Sequence, residues 1–311
     1  MIHPALRLLR CPVCAAPLAD PAGAVRCAAG HSFDVERSGY LNLRTGRARR
    51  VSGDTAEMVQ ARVDFLGGGH YAPLTARLVQ LAAARTGGGR TPADAPPADH
   101  PAVSDPAAGD PAAGAPELVL EIGAGTAHHL AAVVDAGPRR LGIAVDVSKY
   151  ALRRAARVHP RIGAVAFDVA DRWPLPDASV DVLLDVFAPR NLAEMRRLLR
   201  PGGTLLLVTP GEGHLAELRE PLGLVGVQPG KRARLADELS GRFAQLSWET
   251  LTRTIQLGVD EVVDVALMGP TGHHTGAPEL RRRLAAVWPP GRAAMDVTAS
   301  FVIDRAQAPE A

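Results

Sequence analysis

The chain has few lysines, few aromatic residues and no long hydrophobic run. Lys149 and Lys231 are its only lysines among 35 basic residues, and this bias, like the abundant alanine, glycine and proline, is typical of a GC-rich genome. No apolar stretch reaches the roughly 18 residues that a membrane-spanning helix needs, so we expect no membrane contact. The N-terminal residues also lack the apolar core and cleavage site of a signal peptide. The net charge of +2 neither favours nor excludes nucleic acid as a partner.

The three cysteines of the chain all lie close to its N-terminus. Cys11, Cys14, Cys27 and His31 follow the spacing C-x2-C-x12-C-x3-H, in which two knuckles each supply two ligands to a tetrahedral metal ion. We therefore predict one structural Zn²⁺ site; the alternative is three buried cysteines and a surface histidine. Because so small a module cannot bury a sufficient core, zinc binding would supply its folding energy. Clustered thiols with metal spacing also favour a reducing, cytoplasmic location.

Composition divides the chain into four parts. Residues 1–45 form the zinc-binding module, and residues 46–86 form a helical connector. Residues 87–116 are rich in alanine, proline and glycine, repeat the pentapeptide Asp-Pro-Ala-Ala-Gly, and are expected to be a disordered insertion. Residues 117–311 form the main domain. In the connector we predict helices over 54–66 and 73–84, the first with Asp54 as its N-cap and Glu57 three residues later.

From residue 117 onwards, buried strands alternate with helices. This pattern predicts an α/β fold with a Rossmann-like parallel sheet that is covered on both faces. Two late segments alternate like half-exposed strands and can add an antiparallel edge to that sheet. The predicted strands are 118–122, 141–145, 164–168, 180–186, 204–209, 245–256 and 295–304.

A glycine-rich turn follows the first strand of this domain, at the edge where open α/β sheets bind ligands. Gly123 and Gly125 let the backbone approach a ligand closely. A dinucleotide site prefers a third glycine, whose place here is taken by a histidine. Glu121 can instead bond the ammonium of a methionine moiety, so the motif favours S-adenosylmethionine over NAD. Asp146 ends the second strand and can hold ribose hydroxyls, and Asp168 ends the third and can reach the adenine.

With these motifs in one chain, the sequence resembles the zinc-containing 23S rRNA (guanine-N1)-methyltransferases. The stretches that carry the resemblance are C-P-V-C with C-A-A-G-H-S-F-D, G-Y-L-N-L, D-T-A-E-M-V-Q-A-R, G-H-Y-A-P-L, L-E-I-G-A-G-T, V-D-V-S-K, V-F-A-P, L-R-P-G-G and T-P-G-E-G-H-L-A-E-L. They cover nearly the whole chain outside 87–116. The resemblance implies a class I methyltransferase fold and the four zinc ligands named above. It also implies that Tyr71, Gly125, Thr126 and His214 contact S-adenosylmethionine, and that residues 46–86 contribute to that site.

The resemblance also implies the substrate. One branch of the family methylates guanine 748 in the helix 35 hairpin and confers resistance to macrolides such as tylosin and mycinamicin, while a sister branch methylates guanine 745. The GC-rich composition favours the first branch by association. The partner is then a 23S rRNA hairpin or a precursor of the large ribosomal subunit, and a homodimer stays open. Family members often have glycine at the position of Ala127, whose methyl group we expect to be tolerated at a helix start.

The acceptor side of the site is less defined by the sequence. Phe187 either stacks on the target base or belongs to the core, and Arg190 or Asn191 can bond the edge of that base. No general base is assigned. Two other classes remain as alternatives: a small-molecule methyltransferase with an accessory zinc module, and a non-catalytic nucleic-acid-binding protein. Four arginines at the end of the zinc-binding module and directly after it are either phosphate contacts or a solvated charge run; they are Arg44, Arg47, Arg49 and Arg50.

Overall fold

The structure of the protein is a computed structural model, which describes residues 3–20, 24–45, 53–84, 115–224, 226 and 231–310. The expectations for Arg47, Arg49 and Arg50, and for all but the last two residues of the 87–116 insertion, lie outside these ranges. The described strands are β1 (Leu18–Ala19), β2 (Val25–Cys27), β3 (Ser32–Val35), β4 (Leu41–Asn42), β5 (Glu117–Ile122), β6 (Arg140–Asp146), β7 (Ile162–Ala166), β8 (Val180–Val186), β9 (Leu199–Pro210), β10 (Ala244–Leu257) and β11 (Met295–Gln307). The described α-helices are α1 (Ala56–Gly67), α2 (Ala72–Ala83), α3 (His128–Asp135), α4 (Lys149–Val158), α5 (Leu192–Leu198), α6 (Ala216–Leu222), α7 (Lys231–Ser240), α8 (Val259–Leu267) and α9 (Ala277–Ala285).

These strands form one mixed sheet in the order β1-β2-β3-β4-β7-β6-β5-β8-β9-β11-β10. The six central strands, β4, β7, β6, β5, β8 and β9, run parallel to one another. Strand β11 pairs antiparallel with β9, and β10 pairs antiparallel with β11. The α/β fold class and the antiparallel edge predicted from the sequence are therefore confirmed.

Both faces of the sheet are covered, as the nearly continuous apolar strands require. Along β5, Leu118 and Leu120 belong to one core cluster, whereas Val119 belongs to the other. The first cluster is closed by α5, α7 and a 3-10 helix at Pro4–Leu8; the second is closed by the remaining helices. Among the described residues, no helix is both long and apolar enough to cross a membrane.

The zinc-binding module is joined to the main sheet through its last strand. Leu41 and Asn42 of β4 pair in parallel with Val165 and Ala166 of β7. The nearby side chain of Leu43 is buried, and its N–H donates to the carbonyl of Ala166. The module thus extends the edge of the parallel sheet and shares its core.

Most predicted elements lie within two residues of the observed ones, and three differences concern where an element begins or ends. Helix α1 is capped by Thr55, whose hydroxyl accepts the N–H of Met58 at 3.3 Å, and not by Asp54, whose carboxylate is engaged by Arg62. Strand β7 ends at Ala166, two residues before the predicted end. Strand β9 begins at the residue after α5 and includes the Arg-Pro-Gly-Gly segment, five residues before the predicted start at 204. The sequence patterns did not predict α6 and α7.

Candidate functional site

The four predicted zinc ligands form one cluster in the structure. The Sγ atoms of Cys11 and Cys27 lie 3.5 and 3.3 Å from Nδ1 of His31, and Sγ of Cys14 lies 3.6 Å from Sγ of Cys27. The four ligand atoms all lie within 4.8 Å of one another, and the cysteines form no disulfide. Zn²⁺ binds thiolate sulfur at about 2.3 Å and imidazole nitrogen at about 2.0–2.1 Å, which sets ligand-to-ligand separations of this size. The chemistry and spacing of the donors therefore fit one tetrahedral zinc ion.

The turn after β5 is built from left-handed backbone. Gly123 and Gly125 have φ angles of +60° and +54°, a region that residues with a Cβ rarely enter. Ala127 has φ +58° and is fully buried, so its methyl group is accommodated in a conformation that costs roughly 1–2 kcal/mol for an L-residue. Thr126 lies between Gly125 and Ala127 and is 7% exposed. The turn therefore accommodates an alanine at a left-handed position, at the cost of local strain.

Glu121 lies beneath this turn and faces α3. One of its carboxylate oxygens accepts the N–H of Leu130 at 3.2 Å, and the side chain is almost completely buried. Burial, together with the nearby carboxylates of Asp185 and Asp146, raises the pKa of Glu121 to about 8 against the opposing effects of the Leu130 bond and of Arg62. A carboxyl in this state favours a cationic neighbour, which is the property that an ammonium-binding acid needs.

Asp146 connects the ends of two strands. Its two oxygens accept the N–H groups of Gly125 and Ser148, both at 2.8 Å. Burial raises the pKa of this carboxyl against both hydrogen bonds. The predicted ribose-binding residue therefore also fixes the position of the glycine turn, and each oxygen still has a second lone pair for a ligand.

Asp168 lies two residues beyond the end of β7. Its Oδ1 accepts the N–H of Ala170 at 2.9 Å, whereas its buried Oδ2 has no partner among the described residues. Such an acceptor is costly to leave unpaired and fits the exocyclic amine of an adenine. The contact of Asp168 with the adenine therefore stays a prediction, which this unpaired oxygen supports.

The structure brings Tyr71 and His214 together from positions 143 residues apart. The Tyr71 hydroxyl lies 3.4 Å from Nε2 of His214, while Nδ1 of the histidine accepts the N–H of Ser300 at 3.2 Å. Burial and the nearby Arg219 lower the pKa of His214 to about 4, so the ring is neutral at pH 7 and carries its proton on Nε2. Burial raises the pKa of Tyr71 above its ordinary range. Both side chains are therefore neutral hydrogen-bonding groups.

An aromatic surface lies beside this pair, after the end of β8. Phe187 is 41% exposed, adopts φ +58°, and has its ring centroid 5.9 Å from that of His214 and 6.0 Å from that of Phe301. Its neighbour Ala188 lies against Gly123: a Cβ on that glycine would be 2.5 Å from the Ala188 methyl. The core alternative for Phe187 is not supported, because much of this residue faces solvent. It does so beside the turn after β5, residues 123–127, which is called the cofactor turn below.

One of the other acceptor-side candidates, Asn191, has a structural partner. The Oδ1 of Asn191 accepts the N–H of Glu194 at 3.3 Å, so this residue caps α5, although its amide NH₂ is not used by that bond. Sequence reasoning missed Asp185, which lies at the end of β8 next to the turn. Burial raises its pKa to about 7, and its Oδ1 accepts the N–H of Ala188. Its position in a buried strand as an acid among apolar residues was the available signal.

The edge of the sheet as a whole fits S-adenosylmethionine. Buried atoms there that lack a hydrogen-bond partner among the described residues include Oδ2 of Asp168, Oδ2 of Asp185 and Nε of Arg62. Buried polar groups are almost always paired in folded proteins. The amine, ammonium and carboxylate groups of this cofactor offer the two donors and one acceptor that these atoms need.

Comparison with known families agrees with this geometry. Residues 9–44 match the RlmA N-terminal zinc ribbon, and residues 119–203 match a methyltransferase domain. The fold and the site thus define an S-adenosylmethionine-dependent methyltransferase that carries an N-terminal zinc ribbon. Over 294 residues, the chain is 51% identical to a Micromonospora griseorubida protein named for 23S rRNA (guanine-N1) methylation, covering 93% of this chain and 95% of that protein.

A second relative has a more specific name. The chain is 43% identical over 300 residues to the 23S rRNA (guanine(748)-N(1))-methyltransferase of Streptomyces fradiae, covering 96% of this chain and 97% of that enzyme. With this identity over nearly the full length, the chain belongs to the family of 23S rRNA (guanine-N1)-methyltransferases.

Proposed function

We propose that this enzyme methylates N1 of guanine 748 in the helix 35 hairpin of 23S rRNA. The observation that carries the proposal is the exposed ring of Phe187 beside His214 at the cofactor turn. A left-handed backbone at a non-glycine residue costs roughly 1–3 kcal/mol and persists where the surroundings and the function require it. A planar base is the acceptor that such a ring fits. The name of the Streptomyces fradiae relative supports guanine 748 as that base.

The side chains at this edge have separable roles in the reaction. S-adenosylmethionine bound there would supply an electrophilic methyl group; guanine N1 would take this group and lose its proton to solvent, and S-adenosylhomocysteine would leave. Phe187 would stack on the guanine, and the NH₂ of Asn191 or the guanidinium of Arg190 would bond its edge. His214 is a hydrogen-bond donor through Nε2 and not a base, since its Nδ1 already accepts the N–H of Ser300. Positioning contributes most of the rate, because methyl transfer needs the nucleophile, carbon and sulfur in line.

The charge distribution supports a polyanionic substrate. The arginines of α4, Arg153, Arg154 and Arg157, are exposed and line a groove of about 630 Å³ that also touches Thr126. Arginine clusters of this kind bind phosphates and make affinity depend on salt. The zinc-binding module, at residues 1–45, would hold the RNA, and the target guanine would swing out of its loop to reach Phe187.

The proposal extends to a biological role. Both named relatives come from macrolide-producing organisms. Methylation of guanine 748 would protect the ribosome of such an organism from macrolides of the tylosin and mycinamicin type. Because ribosomal RNA is made and assembled in the cytoplasm, the enzyme would act there on the hairpin or on a precursor of the large subunit.

The test is methyl transfer from labelled S-adenosylmethionine to unmodified 23S rRNA, with the product mapped by reverse transcription. Methylation at N1 blocks base pairing, so each modified guanine stops the polymerase. A stop at 748 supports the proposal, whereas a stop at 745 overturns the position and the resistance role. Cofactor binding without any stop would instead favour a small-molecule substrate.

A pair of variants tests the role of Phe187. We expect Phe187→Ala to lose roughly 5–100-fold in rRNA methylation while its affinity for S-adenosylhomocysteine stays unchanged, because base stacking contributes about 1–3 kcal/mol. The matched control is Trp248→Ala, which removes another exposed aromatic ring, 64% exposed, from β10 at the far edge of the sheet. Equal rRNA methylation by the two variants would contradict the stacking role.

A further inference from the structure

Arg62 of α1 reaches the cofactor turn from outside the parallel sheet. A Cβ placed on Gly125 would lie 3.1 Å from Cδ and 3.3 Å from Nε of this arginine, so its side chain packs directly on the glycine. Its Nη2 donates to Oδ2 of Asp54 at 2.6 Å and to the carbonyl of Met268 at 2.8 Å. Two anchors on separate elements therefore fix where the guanidinium lies.

A buried donor of this fixed guanidinium is unused. The Nε atom of Arg62 is buried and has no hydrogen-bond partner among the described residues. Leaving a buried charged donor unpaired is costly. Since the unused N–H lies at the turn where the cofactor is expected, a ligand acceptor at that place would remove the cost.

The charges around Arg62 indicate what kind of acceptor fits. The guanidinium acts electrostatically on both Glu121 and Asp146, and lowers the pKa of each against the larger effect of burial. The turn thus has a fixed cation on one side and acids on the other. The amino-acid end of S-adenosylmethionine is a zwitterion, with a carboxylate and an ammonium on the same carbon. This arrangement matches it in sign, with arginine as the preferred partner for a carboxylate.

We propose that Arg62 is a cofactor-binding residue whose Nε–H donates to the methionine carboxylate of S-adenosylmethionine. The inference rests on the assignment of this turn as the cofactor site. It gives the connector between the zinc-binding module and the sheet a direct part in binding. It also explains why Gly125 must lack a side chain, because a Cβ there would push the guanidinium away.

The test compares S-adenosylmethionine with decarboxylated S-adenosylmethionine, which keeps the sulfonium and the amine but lacks the carboxylate. Affinities are measured by calorimetry on the zinc-loaded full chain without RNA. We expect the wild type to prefer S-adenosylmethionine by roughly 10–100-fold, the range of a hydrogen bond to a charged group. In Arg62→Met this preference should fall to nearly one, because only the carboxylate-bearing ligand loses a partner.

Two controls separate this role from a structural one. Arg282→Met removes an exposed arginine of α9, to which no binding role is assigned, and should leave the preference intact. Asp54→Asn removes the charge of one anchor but leaves the Nε–H in place, so the preference should persist. An Arg62→Met protein that keeps the wild-type preference, or that loses affinity for both ligands equally, would overturn the proposal.

The remaining outcomes are also decisive. If Arg62→Met does not fold, Arg62→Lys retains the charge without the Nε–H and should show a smaller preference than the wild type; an unchanged preference would contradict the role. If the wild-type chain binds neither ligand, the cofactor site itself is wrong, and the proposed function fails together with this inference.

Discussion

Single backbone positions decide whether the cofactor turn can form. Gly123 combines a φ angle of +60° with close contact to the methyl group of Ala188. The first property disfavours any residue with a Cβ, and the second leaves no space for one. The turn is therefore more sensitive to an added methyl group at Gly123 than at most other glycines of the chain.

We expect Gly123→Ala to lower the free energy of unfolding by about 2–5 kcal/mol, the sum of left-handed strain and overpacking. Binding of S-adenosylhomocysteine should be lost with it. The control is Gly67→Ala at the end of α1, where a Cβ meets nothing within 4 Å and alanine should stabilise by about 0.5–1 kcal/mol. Urea unfolding of both variants checks the difference; similar effects would contradict the packing argument.

The protonation of Glu121 makes stability depend on pH. Its pKa rises from the ordinary 4.5 to about 8 in the folded chain, so between these values the folded state holds a proton that the unfolded state has released. The unfolded state binds fewer protons in this window, and stability therefore falls as pH rises through it. Below and above the window this residue contributes no slope.

The substitution Glu121→Gln should remove this dependence and retain an acceptor for the N–H of Leu130. We expect the wild type to lose more than about 1 kcal/mol relative to this variant between pH 5 and pH 8. Asp185 titrates in both proteins, so the difference between their unfolding curves reports Glu121. A difference that stays constant over this range would show that the carboxyl is not held protonated.

The candidate site was only partly predictable at the residue level. The zinc spacing and the acids at the strand ends follow from local patterns, because each ligand pair or turn is short in sequence. The contact between Tyr71 and His214 joins residues 143 positions apart, and only the resemblance had pointed to both. The left-handed conformation of Phe187 has no sequence signal, since neither glycine nor asparagine occupies the position.

At the scale of elements, the N-terminus of α1 depends on which of two partners the side chain of Asp54 bonds: the first turn of the helix or Arg62. Asp54 is a good N-cap by type, but its carboxylate bonds Arg62, and the cap passes to Thr55. A sequence pattern ranks residue types at a cap and does not see a partner eight residues later. The end of β7 shows a second difference between pattern and structure. The side chain of Phe167 is buried in the core and therefore fits the strand pattern, but its backbone lies beyond the last paired residue, Ala166.

The observed cap gives a direct test. Thr55→Ala should destabilise the protein by about 1 kcal/mol, because the first turn of α1 loses the acceptor for the N–H of Met58. Glu57→Ala, in the exposed first turn of the same helix, should cost only a few tenths of a kcal/mol through the helix dipole. Thermal unfolding of the two variants distinguishes them, and a larger effect at Glu57 would favour the capping box expected from the sequence.

At the scale of the whole molecule, the zinc site should act on the edge of the parallel sheet. We expect Cys14→Ser, or removal of zinc by a chelator, to raise hydrogen exchange in β4 and β7 because these strands are paired. Strands β5 and β8 in the middle of the sheet should stay protected.

The control for this experiment is Val13→Ser, which changes an exposed side chain between two ligands, 57% exposed, and keeps the backbone N–H that donates to Sγ of Cys11. Exchange confined to residues 9–44 after zinc loss would show that the ribbon and the sheet unfold independently.

The parallel pairing of β4 with β7 also bears on how a target is chosen. A reader domain on a flexible tether could deliver any nearby nucleotide to the catalytic edge. Here the ribbon is hydrogen-bonded into the sheet that carries that edge, so the span from ribbon to Phe187 is fixed. If an RNA hairpin binds at the ribbon, this fixed distance would determine which of its nucleotides reaches Phe187. Adding or deleting one base pair in its stem would bring a different nucleotide to the pocket, and target choice would then be encoded in length as much as in base identity.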